Sequence, residues 1–144
     1  MLKRSSLILA LLFAFTMLPA FGQVGNIINT KIPFPFIVDG KVLPAGQYEL
    51  FQPDIQQDSE WLIRDVNHES TEVLFTAERQ DKMEPRADTY LSFKEVNHKD
   101  YLSAIWTVGS VQGWHVPVQL EEGAAGAHVR TRTISAAMGA RASR

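Results

Sequence analysis

The chain has 144 residues, no cysteine and a formal net charge of −2, which excludes disulfides, thiolate metal sites and cysteine nucleophiles from the outset. All 16 acidic residues fall within residues 23–122 against eight basic ones, while residues 123–144 carry four arginines and no acid. An acidic body with no clustered basic surface speaks against nucleic acid as a partner.

Residues 1–22 have the layout of a secretory signal peptide. Lys3 and Arg4 precede an apolar run from Leu7 to Leu18, and Ala20-Phe21-Gly22 supplies a small-x-small exit. The run is shorter than the roughly 20 residues that span a bilayer. Cleavage is expected between Gly22 and Gln23, giving a secreted or periplasmic protein with no transmembrane segment in its mature chain. Residues 23–122 then read as one β domain, of a size that buries a core without staples. Residues 123–144 read as a basic, Ala- and Gly-rich tail.

From Lys31 onward the period is two. Ile32, Phe34, Phe36 and Val38 share one side of an extended segment whose other side carries Pro33 and Pro35, so it is an edge or irregular strand. Asp39-Gly40 is the sequence of a two-residue type I′ hairpin, and Leu43-Pro44-Ala45-Gly46 fits a type I turn. Tyr48 and Leu50 face inward on the next strand. Trp61 to His68 leads into Thr71 to Glu78, and Leu91 to His98 leads into Tyr101 to Val108. The two hairpins share Val-Asn-His at their first strand's end, Asp65 matches Glu95, and turn chemistry accounts for the likeness.

Tyr101 to Val108 is apolar on both sides and is expected to be covered on both faces. Trp114, Val116, Val118 and Leu120 alternate with His115, Pro117 and Gln119 as one more strand. Loops at 53–59 and 79–88 are polar and acidic. His128 to Ile134 has the β-branched character of a short edge strand, but the composition from Gly123 onward predicts a mobile tail. The expected fold is all-β, a single antiparallel sandwich or partly closed barrel of seven or eight short strands. Its expected core joins Phe34, Phe36, Tyr48, Leu50, Ile63, Val73, Phe75, Leu91, Phe93, Ile105, Trp106, Val116 and Val118.

The run Ile32-Pro33-Phe34-Pro35-Phe36-Ile37-Val38, followed by Leu43-Pro44-Ala45-Gly46-Gln47-Tyr48, resembles a group of uncharacterised small exported bacterial β-rich proteins with IPF-x-F-x-V and LPAG-x-Y motifs. Leu102-Ser103-Ala104-Ile105-Trp106 matches the Leu-Ser-x-x-Trp pattern of the same group. Pro35 stands where an acidic or polar residue is common there. The resemblance implies an exported β domain and carries over no catalytic residue.

No enzyme machinery assembles from the remaining residues. His68, His98, His115 and His128 lack the spacing of a metal site, and Asp81, Glu84 and Asp88 do not match a calcium loop. There is no nucleophile elbow and no Gly-rich phosphate loop. No catalytic residue, metal ligand or cofactor is therefore expected. Trp61 and Trp114 have inward parity, which leaves Tyr90, beside Ser92 and Lys94, as the one ligand-facing aromatic. The reading is a non-enzymatic exported module that meets an envelope or extracellular partner. The alternatives are a small-ligand or glycan-binding β domain, with Trp106 and Phe93 lining a pocket, and a hydrolase.

Overall fold

The computed structural model describes residues 26–140 apart from residues 83, 121, 124 and 125. The expected signal peptide and the last four residues of the expected tail lie outside the described residues. No described helix is long and apolar enough to cross a membrane.

All described secondary structure is β. The strands are β1 (Asn26–Ile32), β2 (Phe36–Val38), β3 (Lys41–Leu43), β4 (Gly46–Phe51), β5 (Glu60–Asp65), β6 (Glu72–Thr76), β7 (Glu78–Asp81), β8 (Thr89–Val96), β9 (Lys99–Trp106), β10 (Gln112–His115) and β11 (Arg130–Ala140). They form one continuous 11-stranded sheet in the order β3-β2-β9-β8-β11-β1-β4-β5-β6, with β10 pairing both β7 and β9. Since β6 and β7 are separated only by Ala77, the sheet curls back on itself through β7, β10 and β9. The result is a nearly closed barrel-like sheet. The sandwich alternative and the count of seven or eight strands do not hold, and one neighbour pair, β2 on β9 through Ile37 and Tyr101, is parallel.

Ala77 is where one extended segment changes partners. Its N–H still bonds the Ser59 carbonyl at 2.8 Å, continuing the β5–β6 ladder, and one residue later Glu78 faces His115 of β10. Ala77 is fully buried, so a small side chain is what the bend admits. A second handover occurs on β9. Phe93 faces Leu102 and Ser92 faces Ala104, leaving Ser103 unmatched in a bulge. This resets the alternation, so Leu102 and Ile105, three residues apart, both enter the core. The Ser103 hydroxyl donates to the Ser92 carbonyl at 3.1 Å, and the Ser103 carbonyl accepts the Val116 N–H at 2.9 Å.

The turns form as their chemistry dictates. Asp39 and Gly40 have φ of 48° and 73°, and Asn97 and His98 have φ of 52° and 62°, both two-residue turns with positive φ at each central position. The other Val-Asn-His copy, residues 66–68, behaves differently. Asp65 Oδ1 accepts the N–H groups of Asn67 at 2.8 Å and His68 at 3.2 Å, and the chain runs on to Thr71 before pairing resumes. The matching residue at the other hairpin is Glu95, one methylene longer, so identical Asn-His pairs adopt different loops. Asp65 is buried. Burial alone would raise its pKa, but the Asn67 N–H, the His68 ring and the His68 N–H outweigh it and hold the carboxyl below the usual aspartate range.

The LPAG-x-Y run also has a local explanation. Tyr48 is fully buried at the start of β4, and its hydroxyl donates to the Pro44 carbonyl at 2.6 Å, tying the strand to the turn before it. Burial, reinforced by the nearby Asp65 charge, pushes the Tyr48 hydroxyl up to about 12. Tyr48 meets Phe36 edge-to-face at 5.1 Å, and Phe36 meets Phe93 at 5.6 Å, so the β2–β3 hairpin plugs one end of the barrel with an aromatic chain. Ile28, Leu50, Ile63, Leu91 and Ile105 fill the interior behind it with no exposure above 1 %.

Most of the expected core is buried together, with three corrections. Phe34 is half-buried, packed on Phe93 at 5.2 Å; Val118 is half-buried beyond the end of β10; and Trp106, though only 3 % exposed, pairs with Tyr90 on the outer face. The mobile tail is also corrected. Arg130–Ala140 forms β11, paired to β8 from Arg130↔Glu95 to Ala136↔Thr89 and to β1 from Thr30↔Ala136 to Asn26↔Ala140. Ile134 and Ala136 pack against the core. The segment is poor in large apolar side chains, and it gains its place from the ladder instead, its first half bonded to β8 and its second half to β1.

Two expectations follow. A chain ending at Val129 should lose cooperative thermal unfolding, measured by circular dichroism, because β1 and β8 would both face an unpaired edge; a tail without structural weight would leave the melt unchanged. Phe93→Ala should cost about 3–5 kcal/mol in denaturant unfolding, and a cost under about 1 kcal/mol would mean that the ring does not fill the core.

Candidate functional site

Three surface features gather the polar and aromatic side chains that a site could use. The first lies on the outer face, where Lys82 and residues 84–88 strap over Trp106. The Lys82 N–H bonds the Val111 carbonyl at 2.7 Å, and the Gly109 N–H bonds the Arg86 carbonyl at 2.8 Å, which pins the strap to the β9–β10 loop. Lys82 Nζ then sits 4.4 Å from the centre of the Trp106 ring, and the Arg86 guanidinium 5.5 Å from it. Below the ring is Gly113, where an added Cβ would fall 2.5 Å from a Trp106 ring carbon, so only glycine admits this packing.

Tyr90 belongs to this cluster and is half-buried rather than free. Its ring stacks on Trp106 at 6.5 Å, the Arg86 guanidinium lies 4.9 Å from its centre, and its hydroxyl is hydrogen-bonded by Arg86. What remains accessible is a depression of about 360 Å³ bordered by Arg86, Asp88, Tyr90, Thr133 and Ser135. Asp81 and Glu84 are exposed on the same loop region.

The second feature is a charged cluster at the end plugged by the β2–β3 hairpin. Arg132 Nη2 lies 3.0 Å from Glu95 Oε2, Arg132 Nε lies 3.6 Å from Asp100 Oδ1, and the guanidinium sits 5.1 Å from the centre of the Phe34 ring. Strand pairing explains the meeting. Arg132 faces Phe93 across β11 and β8, and Glu95 faces Asp100 across β8 and β9. Asp100 is buried, and its Oδ1 has no hydrogen-bond donor. Burial pushes its carboxyl pKa up, Arg132 pulls it down, and Glu95 adds to the rise.

The third feature is a groove of about 480 Å³ that adjoins this cluster. Phe36, Ile37, Val42, Tyr101 and Leu120 supply apolar walls, and Asp100 contributes to the lining. Val42 and Leu120 are 70 % and 45 % exposed, so the groove ends in an apolar rim. Trp106 and Phe93, expected to share a pocket, lie on opposite faces of the sheet.

His98 and His128 border one depression of about 540 Å³ together with Glu95 and Arg130, whereas His68 and His115 lie apart from it. His68 Nδ1 approaches Asp65 at 3.3 Å, His98 is 99 % exposed and 3.9 Å from Glu95, His115 lies at the end of β10, and His128 precedes β11. Among the described residues no three of His, Asp and Glu converge as metal ligands. Sequence reasoning missed Arg132 and Asp100. The alternation of Thr131, Thr133 and Ser135 around Arg132 and Ile134 was the available signal, since it is the period of a strand with one face inward.

Comparison with known proteins adds no relative: no family model, no curated protein and no solved structure matches the chain.

The Asp100 geometry has a consequence for pH dependence. With its pKa raised in the folded state, the protonated form favours folding, so stability is lost as pH rises through the raised value. Asp100→Asn should therefore raise the melting temperature at pH 7, and the advantage should vanish as pH falls below the unfolded aspartate pKa of about 4. An unchanged or lower melting temperature at pH 7 would show that Arg132 fully compensates the buried carboxylate.

Proposed function

We propose that the chain is a non-enzymatic exported module of the cell envelope or extracellular space, which binds a partner through its outer surface. The observation that carries this reading is the filled interior. Phe36, Tyr48, Phe93, Leu91 and Ile105 occupy the space in which other barrels hold a small ligand. Recognition is then left to the rim and the strand edges, where the apolar groove beside β2 and β3 supplies contact area. The signal-peptide pattern of residues 1–22 and the resemblance to small exported β-rich proteins support the location.

A second reading, a glycan- or small-ligand-binding domain, is favoured by the depression beside Tyr90. Its lining offers a guanidinium, a carboxylate and three hydroxyls, a donor and acceptor set suited to a polar ligand. Tyr90→Ala would then abolish ligand capture and leave the fold intact.

The deciding experiment uses protein recovered after export. Incubation with envelope extract is expected to retain a defined partner, and parallel screens of esters, glycosides and peptides are expected to show no turnover. Turnover that disappears on replacing His68, His98, His115 or Asp100 would defeat the module reading. Retention of a defined glycan that depends on Tyr90 would install the second.

A further inference from the structure

The barrel-like sheet has a seam. β6 ends the path of paired strands, β5 being its only partner among the described residues. The direction of its backbone groups follows from the two ends of that ladder. The Asp65 N–H bonds the Thr71 carbonyl at 3.1 Å, and the Ala77 N–H bonds the Ser59 carbonyl at 2.8 Å. Bonded pairs alternate along an antiparallel ladder, so Val73 and Phe75 also bond to β5. Glu72, Leu74 and Thr76 must then direct their N–H and C=O groups the other way, into the seam.

The facing wall is the chain after β10, and its sequence explains why the seam does not close. The β7–β10 register matches Asp81 with Gln112 and Glu78 with His115. Extended past Ala77, it sets Pro117 opposite Thr76 and Gln119 opposite Leu74. These are bonding positions, and Pro117 has no N–H to give. Val116, just before it, donates its N–H to Ser103 on β9 instead. Between the walls lies a cleft of about 250 Å³ bordered by Leu74, Phe75, Thr76, Val116 and Pro117, with Asp39 and Glu60 at its margin.

Free edges usually carry a blocking device. β3, the other end of the path, is three residues long and contains Lys41. β6 has neither lysine nor proline, and its outward side chains are Glu72, Leu74 and Thr76, with Leu74 52 % exposed. We propose that the seam is a peptide-binding site: an extended segment of a partner protein adds to β6 as a strand and pairs with the backbone of Glu72, Leu74 and Thr76. The ladder supplies affinity, and the flanking side chains supply selectivity. The segment carries an apolar residue beside Leu74 and Lys or Arg toward Glu72, Glu60 and Asp39. This site deepens the interaction-module reading and rests on it.

The test is amide hydrogen exchange by NMR on the protein, with an end-capped octapeptide of alternating Lys and Val as probe. In dilute free protein the Leu74 and Thr76 amides should exchange fast, and the peptide should slow both at least tenfold. A counterpart peptide N-methylated at alternate residues should leave them fast. Glu72→Lys gives up a 3.7 Å pairing with Arg64 that is open to solvent and contributes little, so it should lower the melt only slightly and weaken peptide binding at least fivefold. The proposal falls if Leu74 and Thr76 are already slow in dilute free protein, if they slow with protein concentration alone, which would make the occupant a second copy, or if the N-methylated peptide binds as tightly. A partner captured from envelope extract that neither excess peptide nor Glu72→Lys displaces would overturn the seam and leave the module reading standing.

Discussion

The pairing of β11 between β1 and β8 is the constraint on which the rest depends. It joins the first described strand of the chain to the last, over a separation of more than 100 residues, as in the Thr30 side chain bonded to the Ser135 carbonyl at 3.2 Å. Until that strand arrives, β1 with β4 and β5 forms one open piece, and β8 with β9 and β10 another. Loop-closure entropy opposes such a step, and topologies dominated by non-local pairing fold slowly. The aromatic chain of Phe34, Phe36, Phe93 and Tyr48 spans both pieces, Tyr48 on one and Phe93 on the other, so β11 closes from one side what the continuous β6–β7 segment joins from the other. The Arg132 cluster depends on β11 directly, since the cation is carried by the closing strand.

The sequence made local features legible and closure illegible. Asp39-Gly40 could be placed because a two-residue turn leaves a mark in two adjacent residues. The inward sides of β4, β5, β6 and β8 could be placed because large side chains alternate there. Nothing comparable marks β11, whose inward positions include Ala136 and an arginine. The bulge at Ser103 was equally hidden, as it is defined by a mismatch between two strands rather than by either alone. That one residue moved Trp106 to the outer face and put Leu102 in the core.

The same limit governs the surface features. The sequence puts Tyr90 on the polar side of its strand, but the residue is half-buried, because the strap that covers it comes from a loop whose sequence looks only acidic and polar. Arg86 and Lys82 reach the aromatic face because backbone bonds to Val111 and from Gly109 hold the strap down. The buried Asp100 followed from the bulge and from β11 together, two non-local facts. By contrast, the different fates of the two Val-Asn-His copies were within reach, since the difference between Asp65 and Glu95 is one methylene in the side chain that must fold back onto the turn.

Gly113 links the two sides of the sheet more tightly than its size suggests. The Trp106 indole lies directly on its backbone, so the thickness of the outer layer is set by the absence of a side chain on β10. The neighbouring Trp114 faces the other way and packs on Trp61 at 4.9 Å, with both indole N–H groups buried and lacking an acceptor. Two adjacent positions thus carry an indole on one face and the footprint of an indole on the other. Neither layer is a separate module that could be redesigned alone: repacking the strap over Trp106 would shift β10, and any shift of β10 would be felt at once by the tryptophan pair inside.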